Sequence, residues 1–163
     1  MSKPDALGAA PSFSFATPPR LALVVSRFNT EVTGGLRAGA TSWLAEHAIG
    51  LRDEDLFASP GAFELPLLAQ ALARTRRYDG VICLGCVIKG DTAHFEFISL
   101  GAATGLMQAS LATGVPIAFG VLTTYTEEQA MLRSRDDAHN KGREAAAACV
   151  ESIALLQEIA RGD

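Results

Sequence analysis

Gly80-Val81-Ile82-Cys83-Leu84-Gly85-Cys86-Val87-Ile88 runs straight into Lys89-Gly90-Asp91-Thr92-Ala93-His94-Phe95-Glu96-Phe97-Ile98-Ser99, and this change of character within one stretch decides the fold. A continuous run of branched and apolar residues is what a strand buried on both faces requires. Strands of that kind belong to parallel sheets covered by helices on each side. Gly90 is expected to supply the turn. Asp91 or Thr92 then offers a side-chain oxygen to cap a helix from about Phe95 to Thr113, whose free N–H groups and positive dipole end would face whatever sits above the sheet. Such a helix start suits an anion. His94 lies within one turn of it, as a side chain able to give and take a proton near neutral pH.

Outward from this strand the plan repeats. Leu21 to Val25 reads as a strand ending in Ser26-Arg27-Phe28-Asn29, and Val32, Leu36, Ala40, Trp43 and Leu44 then recur at helical spacing up to Gly50. A short strand around Leu56 to Ala58 leads through Ser59-Pro60-Gly61-Ala62-Phe63-Glu64-Leu65-Pro66 into a helix from Leu67 to Arg74, with Pro66 suited to its first turn. Val115 to Leu122 is a further strand, Glu127 onward is helical, and a polar junction from Ser134 to Gly142 precedes a last helix, Arg143 to Ala160. Strand alternating with helix predicts an α/β chain, a single-domain three-layer α/β/α sandwich around a parallel central sheet. Right-handed crossovers place the carboxyl ends of all strands on one edge. Arg27-Phe28-Asn29, Gly61 to Glu64, Lys89 to His94 and Thr123-Thr124-Tyr125 then gather at that edge, where ligands of open α/β sheets bind.

At 163 residues and 48% hydrophobic content the chain has enough apolar material for one core. The α/β domain is expected over 20–163, and 1–19 reads as a flexible arm. Phe13 and Phe15, alternating with Ser12, Ser14 and Ala16, give that arm a period-two pattern suited to a strand at 12–16. A formal charge of -4 without a basic stripe argues against nucleic acid as partner. No apolar run reaches membrane-spanning length and the first residues lack a secretory pattern, so a cytoplasmic protein is expected. Three cysteines are too few for a disulfide framework. Cys83 and Cys86 have a metal-site spacing, but residues three apart in a strand point to opposite faces, so no shared metal is expected.

Individual residues keep two readings at this level. Phe28, an aromatic just past a strand end, suits core packing and the stacking of a planar ligand equally. Glu64 in a helix's first turn is favoured by the dipole alone. His47 and His139 read as surface residues. In the polar junction a guanidinium would clamp a phosphate in bidentate fashion, and both Arg133 and Arg135 are placed to do so.

Taken together, Ser26-Arg27-Phe28-Asn29, Pro60 to Pro66, Gly85 to Phe97, Phe119-Gly120-Val121-Leu122-Thr123-Thr124, Glu128-Gln129-Ala130 and Asn140-Lys141-Gly142 resemble the 6,7-dimethyl-8-ribityllumazine synthase family of riboflavin biosynthesis, over roughly Leu21 to Leu156. The resemblance implies a flavodoxin-like sheet and a transferase that joins 5-amino-6-(D-ribitylamino)uracil to 3,4-dihydroxy-2-butanone 4-phosphate, releasing phosphate and water. It implies no metal and no organic cofactor. By the same resemblance Phe28 would stack on the pyrimidine, while Ala62, Phe63 and Glu64 would hold the ribityl chain. Cys86, Val87 and Ile88 would present backbone groups to the uracil edge, Phe119 would come from a neighbouring subunit, and Lys141 would also contact this substrate. Asp91, Thr92 and Arg133 would hold the phosphate, with Asp91 turned to cap the helix, and His94 would handle protons. The implied partners are small-molecule substrates, further copies of the chain in a pentamer or an icosahedral cage of pentamers, and riboflavin synthase. A flavin-binding or shell protein of the same fold, without turnover, is the alternative.

Overall fold

The computed structural model describes residues 13–162. Four strands, β1 (Leu21–Ser26), β2 (Leu56–Ser59), β3 (Gly80–Ile88) and β4 (Ile117–Thr124), form one parallel sheet in the order β2-β1-β3-β4. Five helices follow them: α1 (Thr30–Glu46), α2 (Leu65–Arg74), α3 (His94–Thr113), α4 (Glu127–Ser134) and α5 (Lys141–Arg161). This is the three-layer sandwich expected from the alternation, with the flavodoxin-like sheet that the resemblance implies, and β3 is central and buried along most of its length.

Period-two geometry divides the strand residues between two cores. Leu21 and Leu23 of β1, Ile82, Leu84 and Cys86 of β3, and Leu122 of β4 pack with Leu36, Ala40, Ala146 and Val150 of α1 and α5. On the other face Ala22, Val24, Val81, Cys83 and Val121 pack with Leu65, Ala69 and Leu106 of α2 and α3. Cys83 and Cys86 therefore lie on opposite sides of the sheet, and all three thiols are free and buried.

Element boundaries differ from the expected ones by a few residues, for local reasons. β4 begins at Ile117 rather than Val115, since Pro116 has no N–H to give a ladder. α2 starts at Leu65, with Pro66 in its first turn. α5 starts at Lys141 rather than Arg143, because the Asn140 side chain accepts hydrogen bonds from the N–H groups of Gly142 and Arg143 and so caps the helix earlier.

Most of the arm expected over 1–19, through Ser12, lies outside the described residues. Phe13 to Phe15 form no strand within the single chain. Phe13 instead packs edge-on against Trp43, with ring centroids 6.3 Å apart, and Trp43 stacks on His47 at 3.8 Å. Among the described residues no helix is long and apolar enough to cross a membrane.

Candidate active site

The strand order reverses between β1 and β3, so the loops after these two strands run to opposite sides and leave a crevice above their carboxyl ends. The chain leaving β1 is fixed first: the N–H of Arg27 donates to the Ser59 carbonyl at 3.0 Å. Asn29, which precedes α1, adopts a left-handed backbone at φ 53 and ψ 57, a conformation that asparagine tolerates better than most residues. Its Nδ2 donates to the Cys86 carbonyl at 3.0 Å, tying the β1 loop to the end of β3. Phe28 is thereby turned outward and stands 67% exposed. The Ser59 hydroxyl donates to the Gly61 carbonyl at 2.7 Å and shapes the turn that carries Ala62, Phe63 and Glu64.

These segments enclose a cavity of about 500 Å³ lined by Phe28, Asn29, Gly61, Ala62, Phe63, Glu64, Cys86, Val87, Ile88, His94 and Ile98. Its walls are apolar, with two phenyl rings, one carboxylate and one imidazole, the mixture that holds a planar, partly polar small molecule. Each ring left in water forgoes about 1.5–3 kcal/mol of burial that a ligand covering it would recover. Cys86 contributes backbone rather than a nucleophile. Burial pushes its thiol up to about 11, so at neutral pH the sulfur is protonated.

The start of α3 differs from expectation. Ala93 stands at the cap position and no side chain caps the helix there. Asp91 is exposed and does not take the capping role, whereas the Thr92 hydroxyl accepts a long 3.4 Å bond from the His94 N–H. The helix begins one residue earlier than expected, at His94, so that the imidazole springs from its first position. Gly90 is not in the left-handed region, and a Cβ on it would meet nothing within 4 Å. What glycine leaves at this turn is open space over the helix start, not a special backbone conformation. Lys89 is held beside it, its Nζ 3.3 Å from Glu96 Oε1 and 5.4 Å from the Tyr125 ring centroid.

Phe119, Arg133 and Lys141 do not join this crevice. They line a separate cavity of about 390 Å³ along the outer edge of β4, together with Thr123, Thr124 and Glu144. Among the described residues β4 pairs with β3 alone, so this edge is unpaired there. Arg133 donates from Nη1 to the Gln129 carbonyl at 2.9 Å, and Lys141 Nζ lies 2.6 and 2.7 Å from the two carboxylate oxygens of Glu144. Of the two arginines that the sequence left open, Arg133 lines this cavity, while Arg135 stands exposed at the end of α4. Asp91 and Thr92 line neither cavity. Apart from these two, the candidate residues fall into two groups on one chain: an aromatic slot with His94, and a cationic edge with Phe119.

Two residues without an expected role are part of this arrangement. Asn29 lines the crevice and anchors its floor; an asparagine directly after a strand and before a helix is the available signal, since it suits a left-handed turn. Asn140 is buried between α4 and α5, and nothing in its sequence context announces that.

Comparison with known proteins bears on the whole of this geometry. The family profile described as 6,7-dimethyl-8-ribityllumazine synthase matches residues 18–157. The 6,7-dimethyl-8-ribityllumazine synthase 1 of Caulobacter vibrioides is 64% identical over 142 residues, covering 87% of this chain and 93% of that protein. The 6,7-dimethyl-8-ribityllumazine synthase of Deinococcus radiodurans is 49% identical over 142 residues, covering 87% and 92%. Its counterpart in Deinococcus deserti is 46% identical over 144 residues, covering 88% and 92%. With matches spanning both the aromatic crevice and the cationic edge of β4, the chain belongs to the 6,7-dimethyl-8-ribityllumazine synthase family.

Proposed function

We infer that the chain catalyses the reaction of its family, the condensation of 5-amino-6-(D-ribitylamino)uracil with 3,4-dihydroxy-2-butanone 4-phosphate to 6,7-dimethyl-8-ribityllumazine, with release of phosphate and water. The observation that carries the reading is the crevice above β1 and β3, where Phe28 and Phe63 offer aromatic faces, Glu64 supplies a carboxylate and His94 an imidazole.

In this reading the pyrimidine stacks on Phe28, and the backbone of Cys86, Val87 and Ile88 meets its polar edge. Fixed backbone groups suit that task, because a ring with the wrong donor pattern leaves them unpaired. Ala62, Phe63 and Glu64 hold the ribityl chain. The phosphate of the second substrate sits over the start of α3, near Asp91 and Thr92, where the positive end of the helix favours an anion. Asp91 contributes through its backbone, since its carboxylate would repel a phosphate.

Arg133, Lys141 and Phe119 come to this crevice from a neighbouring copy. Support for that lies in their place on the unpaired edge of β4, away from the crevice of their own chain. Two substrates held side by side bring the butanone carbonyl to the amine of the stacked ring, and ideal alignment is worth up to roughly 7–11 kcal/mol of the barrier. His94 moves protons through imine formation, phosphate elimination and ring closure. No covalent enzyme intermediate is needed, in keeping with the protonated Cys86 thiol.

Incubating the chain with both substrates and following lumazine fluorescence tests the reading. Product is expected to form with release of one phosphate. Binding of the pyrimidine without turnover would instead make the protein a carrier of ribityl compounds.

A further inference from the structure

Asn140 is fully buried, and its amide is used to capacity. Its Nδ2 donates to the carbonyls of Ser134 at 2.9 Å, Arg135 at 2.8 Å and Gly35 at 3.1 Å, and its Oδ1 accepts from the N–H groups of Gly142 at 2.8 Å and Arg143 at 3.3 Å. An asparagine amide has two N–H donors and one carbonyl, so one N–H is shared between two of these acceptors. Capping α5 needs only the Oδ1. The bonds from Nδ2 must answer to something else, and they close the last carbonyls of α4 and tie them to α1.

The surroundings leave this side chain no alternative. A Cβ on Gly39 of α1 would fall 2.1 Å from Asn140 Oδ1, and one on Gly142 would fall 1.9 Å from the Leu36 carbonyl. Helices α1 and α5 therefore meet backbone against backbone at this point. Residues 135–139, by contrast, are exposed, and the hydrogen bonds among them are local, such as that from the His139 N–H to Asp137 Oδ1 at 2.7 Å. One amide sets the geometry of the whole junction. Its acceptor Ser134 directly follows Arg133, and Asn140 itself directly precedes Lys141.

We propose that Asn140 is a positioning residue, which through its Nδ2 holds Arg133 in register with Lys141 so that Arg133 meets the phosphorylated substrate from a preformed edge. The inference rests on the reading of Arg133 as a phosphate ligand, and its test separates the two. Asn140→Ser keeps a short acceptor for the cap and removes the two amide N–H donors, leaving one hydroxyl where Nδ2 met three carbonyls. Asn140→Ser is expected to keep the helical circular dichroism of the parent and to raise the KM for the butanone phosphate about 10- to 100-fold, the scale that misplacing a binding group produces. Its kcat at saturation is expected to change far less.

Arg133→Ala is expected to raise the same KM, and Arg135→Ala to leave it unchanged. In the Arg133→Ala background, Asn140→Ser is expected to add nothing to that KM. An equal added factor with and without Arg133, or an unchanged KM in folded Asn140→Ser, would overturn the positioning role. Loss of the folded helical signal in Asn140→Ser would reduce Asn140 to a structural residue. An unchanged KM in Arg133→Ala would instead overturn the reading of Arg133.

Discussion

His94 is the residue on which the proposed chemistry turns, and its position is what would let one side chain serve several proton transfers. It springs from the first position of α3, exposed on its solvent side, and shares the crevice with Phe28 and Glu64. A histidine there can take a proton from one reacting atom and return it to another, because an imidazole carries one donor and one acceptor nitrogen. His94→Ala is expected to lower turnover about 100-fold, the order that one positioned acid or base supplies. Stacking on Phe28 does not involve the imidazole, so pyrimidine affinity measured by equilibrium titration should stay within a few-fold. A variant as fast as the parent would remove His94 from the mechanism. The position of Phe28 was undecided between core and ligand in the sequence. Its exposure removes the core reading, and the cause is the left-handed backbone at Asn29 that turns the loop outward.

At the scale of elements, the end of the sheet opposite the crevice is held by a polar strap. Arg20, just before β1, donates to Asp55 Oδ1 from Nη2 at 2.8 Å and from Nε at 3.2 Å, and its Nη2 lies 2.6 Å from Glu54. The N–H of Arg20 also donates to Asp79 just ahead of β3, and its guanidinium lies 5.2 Å from the Tyr78 ring centroid. Three strand entries are joined in this way. Burial pushes the Asp55 carboxyl up, but the bonds from the Arg20 guanidinium and the Arg52 N–H outweigh it, and the group titrates below its ordinary range.

A carboxylate with a depressed folded pKa contributes stability above its unfolded value of about 3.9, and loses it as pH falls through the folded value. Asp55→Asn is expected to cost about 1.5 kcal/mol at pH 7, the lower end for bonds to a charged group because Arg20 is partly exposed to solvent. In urea melts the gap between parent and variant should close below about pH 4. A gap independent of pH would mean that shape, not charge, holds the strap. Activity is not expected to change at pH 7, since the crevice lies at the far end of the strands.

The alternation that fixed the layers was legible because the central strand is a continuous apolar run and α1 repeats its apolar residues at helical spacing, and the residues at strand ends followed from topology. Two things were not. Asp91 looked like a cap from its residue type, yet the helix starts at His94 with Ala93 in the cap position, because side-chain capping competes with geometry that composition does not reveal. Asn140 acts across 105 residues to Gly35, a contact that exists only once the helices have packed.

For the whole molecule, the proposed site leaves the single chain incomplete as a catalyst, and an apolar face of the fold stands uncovered; one assembly would account for both. The small residues Ala145, Ala146 and Cys149 of α5 are buried within the chain's own core and are not what a neighbouring copy would meet. What stands uncovered is α3, where Phe97, Leu100, Met107 and Leu111 lie exposed, beside a groove of about 640 Å³ that runs from α3 across Phe119 of β4 to Leu155 of α5. Apolar patches of that extent are uncommon on monomers and mark contacts with a partner. A second copy seated there would cover the patch and bring a β4 edge, with Phe119, Arg133 and Lys141, toward the crevice of its neighbour. Such a heterologous contact closes into a ring when the rotation allows. We expect pentamers in light scattering at micromolar concentration, and icosahedral cages of pentamers in negative-stain images of the full chain. Phe13 and Phe15 form no strand in the single chain, and once released from their contact with Trp43 this period-two segment would join a neighbour's sheet by strand addition. A chain shortened to start at Pro18 is therefore expected to stop at pentamers. Pentamers from both chains would refute the cage alone. A monomer or dimer of the full chain would refute the shared site, and with it the assignment of Arg133, Lys141 and Phe119 to a neighbour's substrate.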